Sequence, residues 1–170
     1  MIEHWKNENL SILKEKLMPV QIKFQNAIDN AAELLNEKEA CISFSAAHCS
    51  SFQQKGAFVV LDFGKELCGG IRIITRAVDG NADFRITFGE SLSEALSSIG
   101  EKNATNNHSP RDIKVEIPQL SDLTFGQTGF RFVRIELLSE KSVQIRNIFA
   151  INTLPYFEKE AVIKTSDEEL

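Results

Sequence analysis

Two hydrophobic periods divide this chain. N-terminal to Cys41, apolar residues recur at helical spacing as Ile2, Trp5, Leu10, Leu13 and Leu17, with Lys14, Glu15 and Lys16 between them. The spacing predicts an amphipathic helix over residues 2–17, stopped by Pro19, because the residue before a proline avoids helical backbone angles. Ile28, Ala31, Ala32 and Leu35 predict a second, shorter helix within residues 27–36. From Cys41 the period falls to two. Phe58, Val60 and Asp62 alternate with Val59, Leu61 and Phe63; Ile71, Ile73 and Thr75 flank Arg72. Phe84, Ile86 and Phe88 share a face, as do Ile113, Val115 and Ile117. A further run, Phe130 to Leu137, changes phase at Phe132-Val133, which a β-bulge or burial on both faces would explain. Val143, Ile145, Phe149 and Ile151 close the series.

Turn signals at Gly69-Gly70, Asp79-Gly80-Asn81, Pro118 and the Gly126–Gly129 stretch separate these runs. Short alternating strands without intervening helices predict an all-β fold, an antiparallel sandwich or barrel. One interruption, from Leu92 to Pro110, is rich in Ser, Asn and Gly, and a loop of that length in a compact domain is commonly functional. At the far end, Ser166-Asp167-Glu168-Glu169 has the layout of a helix start: a capping serine, acidic residues in the first turn and Glu three positions on.

The composition narrows the function classes. With 42% hydrophobic and 25% charged residues, the 170-residue chain suits a single globular domain. A formal net charge of -5, with no basic stripe, argues against nucleic acid or an anionic membrane as partner. No apolar run has membrane-spanning length, and the first six residues lack the apolar core of a secretory leader. The compartment stays open. Twelve Phe against one Trp and one Tyr fit a strand-rich core better than a sugar-stacking platform. Cys41, Cys49 and Cys68 are too few for a disulfide framework; small buried thiols are expected, with one bridge conceivable in an oxidising compartment.

Three stretches carry a family resemblance. They are Leu61-Asp62-Phe63-Gly64-Lys65-Glu66 with Gly69-Gly70; Phe88-Gly89-Glu90-Ser91 running through Gly100–His108 to Arg111-Asp112; and Gly129-Phe130-Arg131-Phe132-Val133-Arg134-Ile135. In this order they resemble the N-terminal β-sandwich region of bacterial α-L-rhamnosidase-like glycoside hydrolases, particularly those of gut Bacteroidetes. The resemblance covers about two-thirds of the chain, from Ala57 to Leu170. It implies a jelly-roll sandwich, similar to galactose-binding domains, that precedes an (α/α)6 catalytic barrel. Ser166-Asp167-Glu168 resembles the start of that barrel, so no catalytic residue is expected in this chain. The implied organisation is a helical segment over residues 1–38, a sandwich over 39–157, and a linker with the start of the catalytic domain over 158–170.

Several side chains are candidates for chemistry. Glycoside hydrolysis needs two carboxyl groups roughly 5–9.5 Å apart, and Glu90, Glu94, Glu101 and Asp112 lie in or beside the long loop. A solvated acidic loop, with Asp112 pairing Arg111 or capping a turn, is the plainer expectation. His48, His108 and the cysteines lack the close ligand pairs of a zinc site. Asp79, Asn81 and Asp83 form an oxygen-rich turn able to supply calcium ligands, although Asp-Gly-Asn is a strong turn signal by itself. No other cofactor is expected. For sugar contact or docking against a catalytic domain, the residues are Glu90, Glu101, Asn103, Asn106, His108, Arg111 and Asp112, which mix amides, an imidazole and charges of both signs. The expected function is a non-catalytic accessory domain of an α-L-rhamnosidase-like enzyme that packs on its catalytic barrel. The alternative is an independent carbohydrate-binding module for rhamnosyl or other plant-glycan termini.

Overall fold

The computed structural model describes residues 11–76, 80–101 and 109–156. The expected helix start at Ser166 lies outside the described residues. The strands are β1 (Ser11–Leu17), β2 (Gln21–Asn26), β3 (Ile28–Asp29), β4 (Ser50–Phe52), β5 (Phe58–Thr75), β6 (Ala82–Gly89), β7 (Asp112–Ile117), β8 (Asp122–Leu137) and β9 (Val143–Tyr156). One short helix, α1 (Leu92–Leu96), follows β6. All strand pairings are antiparallel, and the fold is an all-β sandwich.

Two long strands build both layers. The first half of β5 lies between β2 and the second half of β8, whose other edge carries β6 and then β7. The second half of β5 lies between the first half of β8 and β9. β4 and β1 pair with opposite ends of β9, and β3 pairs with β4. Between the halves, the β5–β8 register shifts from Asp62↔Phe132 to Leu67↔Phe130. This irregularity explains the phase change read at Phe132-Val133. Phe130 and Val133 both join the core, while Phe132 is buried outside it beneath Arg131. Just past the bend, a Cβ on Gly69 would meet the Ile151 carbonyl oxygen at 2.0 Å, so only glycine allows β9 to pass so close.

The phenylalanines fill the space between the layers. Phe130 packs edge-on against both Phe63 and Phe88, at 5.7 and 5.2 Å between centroids, and Phe52 meets Phe84 at 5.8 Å. Edge-to-face contacts of this kind add to the burial of large apolar area.

The N-terminal segment corrects the sequence reading. Residues 11–17 of the expected helix are strand β1, paired from Ser11↔Tyr156 to Leu17↔Ala150. Their sequence does not alternate strictly, since Glu15 stands between Leu13 and Leu17, and the open edge of β9 overrides the helical spacing by supplying a ladder of backbone partners. Lys and Glu suit such an edge position because they discourage further strand addition. Pro19 still ends the element. Within 27–36, only Ala31–Leu35 is helical, as a 3-10 turn that buries Ala31 and Leu34.

Candidate functional site

The loop singled out from sequence opens where β6 meets α1. Gly89 is required there, since a Cβ would come within 2.5 Å of the Ala95 backbone nitrogen. Ser91 caps α1 and accepts the Glu94 N–H at 3.3 Å, while the buried Glu94 carboxylate accepts the Glu90 N–H at 3.1 Å. This reciprocal arrangement satisfies donors at the helix start. At the other end of the loop, Arg111 is 1% exposed, and its Nη1 donates to the carbonyls of Glu94 and Ser97 in the last turn of α1. A guanidinium on those carbonyls also complements the negative end of the helix.

Arg111 acts on Asp112 through its charge, but the carboxylate's hydrogen-bonded partner is another arginine. Asp112 takes a two-pronged ion pair from Arg85 on the adjacent strand, with Nε–Oδ1 at 2.9 Å and Nη2–Oδ2 at 2.5 Å. The Arg85 hydrogen bond, against some desolvation, holds the Asp112 carboxyl below its ordinary range. Glu101 is exposed and accepts the Ser98 N–H at 2.9 Å. Glu90 is exposed, with Oε1 3.0 Å from where a Gly129 Cβ would stand. Asn103, Asn106 and His108 lie outside the described residues. The loop acids are therefore divided among separate partners: Glu94 serves the α1 cap, Asp112 pairs with Arg85 and Glu101 binds its own turn.

The candidate calcium turn is also divided. Asn81 donates to Glu116 across the strand pair at 2.5 Å, the Asp83 N–H donates to Ser139 Oγ at 2.8 Å, and Asp79 lies outside the described residues. Among the described residues, no cluster of three His, Cys, Asp or Glu side chains is placed to hold a metal ion. The cysteines are free thiols; Cys49 is buried, Cys41 half-buried, and Cys68 exposed rather than buried as expected.

Two of the resemblance motifs meet at a buried carboxylate. Asp62, 2% exposed, accepts the Gly64 N–H at 2.8 Å, Arg131 Nε at 2.9 Å and Arg131 Nη2 at 3.2 Å, with Lys23 Nζ at 3.2 Å. Burial on its own would raise this carboxyl; the Arg131, Gly64 and Lys23 donors outweigh it and hold the carboxyl at about 2.

A second group of side chains escaped the sequence reading. Arg76 follows β5; its Nε donates to the Phe44 carbonyl at 2.8 Å and its Nη1 to Gln144 Oε1 at 2.5 Å. Phe44 is 75% exposed and Ile42 is 46% exposed. Lys38 Nζ donates to the His48 carbonyl at 2.6 Å and lies 3.4 Å from Glu33. Arg146, Lys38 and Arg76 all act electrostatically on the Cys49 thiol, whose burial nevertheless pushes it up. These residues span more than a hundred positions, and nothing in their local spacing joins them.

No protein-family model matches this chain, and no curated protein matches it. Solved structures do. The rhamnosidase from Klebsiella oxytoca with rhamnose bound superposes with a TM-score of 0.56 at 18% identity, covering 84% of this chain and 29% of that one. This chain therefore spans less than a third of that rhamnosidase. CBM32 of AlyQ, in complex with 4,5-unsaturated mannuronic acid, gives 0.52 at 13% identity over 80% of this chain and 97% of that one. A fucose binding module of Streptococcus pneumoniae gives 0.51 at 13% identity, covering 88% and 99%. At these identities the chain shares a fold with these proteins, an antiparallel all-β sandwich of galactose-binding-domain type.

Proposed function

We propose that this chain is a non-catalytic accessory β-sandwich of an α-L-rhamnosidase-like glycosidase, docked on the catalytic domain through the loop that contains α1. One observation carries the reading. Leu96 and Ile99 are 39% and 40% exposed on a loop whose α1 turn is braced from beneath by the buried Arg111. A fixed surface with two exposed apolar side chains suits burial against a partner domain. The share of the Klebsiella rhamnosidase that this fold covers supports a place within a longer enzyme. The resemblance of Phe88–Asp112 to the rhamnosidase motif falls on this same loop.

The double variant Leu96→Asp, Ile99→Asp tests it. The isolated chain should lose little Tm, because both side chains are already partly exposed to water. In the longer polypeptide that this reading requires, thermal unfolding of the catalytic domain should begin several degrees earlier, since each lost apolar contact costs about 1 kcal/mol. Equal loss in both forms, or no loss in either, sinks the docking role.

The second reading is an independent carbohydrate-binding module. The group around Phe44, Arg76 and Arg146 favours it, as do the sugar complex of CBM32 of AlyQ and the fucose binding module, almost the whole of which this fold covers. Calorimetric titration of the isolated chain with rhamnose and rhamnose-tipped oligosaccharides should give millimolar or tighter binding. Absence of heat with every sugar tried removes this reading.

A further inference from the structure

β9 carries polar groups that the fold does not use. Its pairing with β5 slips between Ile74↔Asn147 and Thr75↔Ile145, which leaves Arg146 as the extra residue of a bulge. The Arg146 guanidinium makes no hydrogen bond or ion pair among the described residues, and its Nε is buried. Beside it, Asn147 is fully buried, and both its amide atoms also lack partners there. Arg134 offers a contrast: its Nε is buried too, but its Nη2 bonds Glu136 at 3.0 Å and its guanidinium covers the Phe58 ring at 4.6 Å. Buried polar groups are almost always satisfied; Asn147 is sealed inside, so it is the half-buried, unpaired Arg146 on the bulge that points to a ligand.

The surroundings set the sign of that ligand. The groups acting on the Cys49 thiol are three cations, Arg146, Lys38 and Arg76, and one carboxylate, Glu33. Glu33 is already engaged by Lys38 and His48. Burial first, and Arg146 as a further cause, push the Lys38 ammonium below its ordinary value against the pull of Glu33. This concentration of positive charge sits in a chain of net charge -5. Phe44 and Ile42 expose apolar side chains on a segment that Arg76 fastens, through the Phe44 carbonyl, to Gln144 at the start of β9.

We infer that this end of the sandwich binds the carboxylate of an acidic sugar, with Arg146 as its ion partner and the Phe44 ring under the sugar's C–H face; the inference rests on the carbohydrate-binding reading above. A guanidinium offers a carboxylate two parallel donors. The exposed ring accounts for a ring-shaped, partly apolar ligand where a bare anion would need none.

Calorimetry of the 170-residue chain tests this with galacturonate, glucuronate, galactose, glucose, rhamnose and inorganic sulfate. The uronates should bind about tenfold or more tightly than the neutral sugars, and Arg146→Gln should remove that advantage while Tm holds. Neutral sugars binding as well as uronates, unaffected by Arg146→Gln, would overturn the inference and leave the carbohydrate-binding reading standing. Sulfate binding as tightly as the uronates would reduce the site to a simple anion site and overturn the sugar assignment. Silence with every sugar overturns both. Should Arg146→Gln fail to fold, Phe44→Ala decides the matter, because its ring is already 75% exposed. That variant should weaken uronate binding at unchanged Tm, and unaltered affinity would refute the site.

Discussion

Asp62 illustrates how much one side chain fixes in this molecule. A carboxylate taken out of water is unfavourable unless donors replace the lost hydration, and here Arg131, Gly64 and Lys23 replace it. Its carboxyl falls from an ordinary 3.8 to about 2. The folded value lies below the unfolded one, so the stabilisation is complete well above 3.8 and disappears as pH falls through about 2. It amounts to about 2 kcal/mol. Urea unfolding of the natural chain and of Asp62→Asn should therefore differ clearly at neutral pH and converge near the acid end. A difference that ignores pH would show that the carboxylate charge is not what matters. The same contacts join the stretches beginning at Leu61 and Gly129: each supplies one side of this ion pair.

At the scale of elements, strands from β5 onward were legible because alternation is a direct consequence of having one buried face. β1 was not, since its leucines are spaced as on a helix and the partner edge on β9 overrides that spacing. The long loop was legible as a place. Its charged residues read as a set for sugar contact or docking, and within the fold Arg111 braces the α1 carbonyls while Asp112 pairs with Arg85. Replacing Arg111 by Met keeps most of its volume and removes the donors to the Glu94 and Ser97 carbonyls. The isolated chain should lose about 2–3 kcal/mol in urea unfolding, and amide exchange should quicken in α1 before the strands. Unchanged protection in α1 would show that Arg111 does not hold it.

For the molecule as a whole, sandwich architecture followed from pattern, while the placement of chemistry did not. The Phe44 group is assembled from the segment after the 3-10 turn, the end of β5 and the bulge of β9, so its members have no common spacing to read. Only the layered pairing of long, bent strands brings them to one end. The start of the α1 loop is brought instead beside β8, with Glu90 next to Gly129. One proposed surface for a partner domain and one for a sugar can thus coexist without competing for residues.

The pairing of β1 with β9 has a mechanical consequence. Ser11 stands opposite Tyr156 and Leu17 opposite Ala150, so the chain enters and leaves this sheet at the same corner. Tension between the flanking segments would fall on the Ser11–Tyr156 end first and open the ladder one rung at a time, like a zip. A domain held this way yields to small forces by peeling β1. The pairings of β9 with β5 and of β5 with β8, which hold the core, are loaded after β1 has peeled.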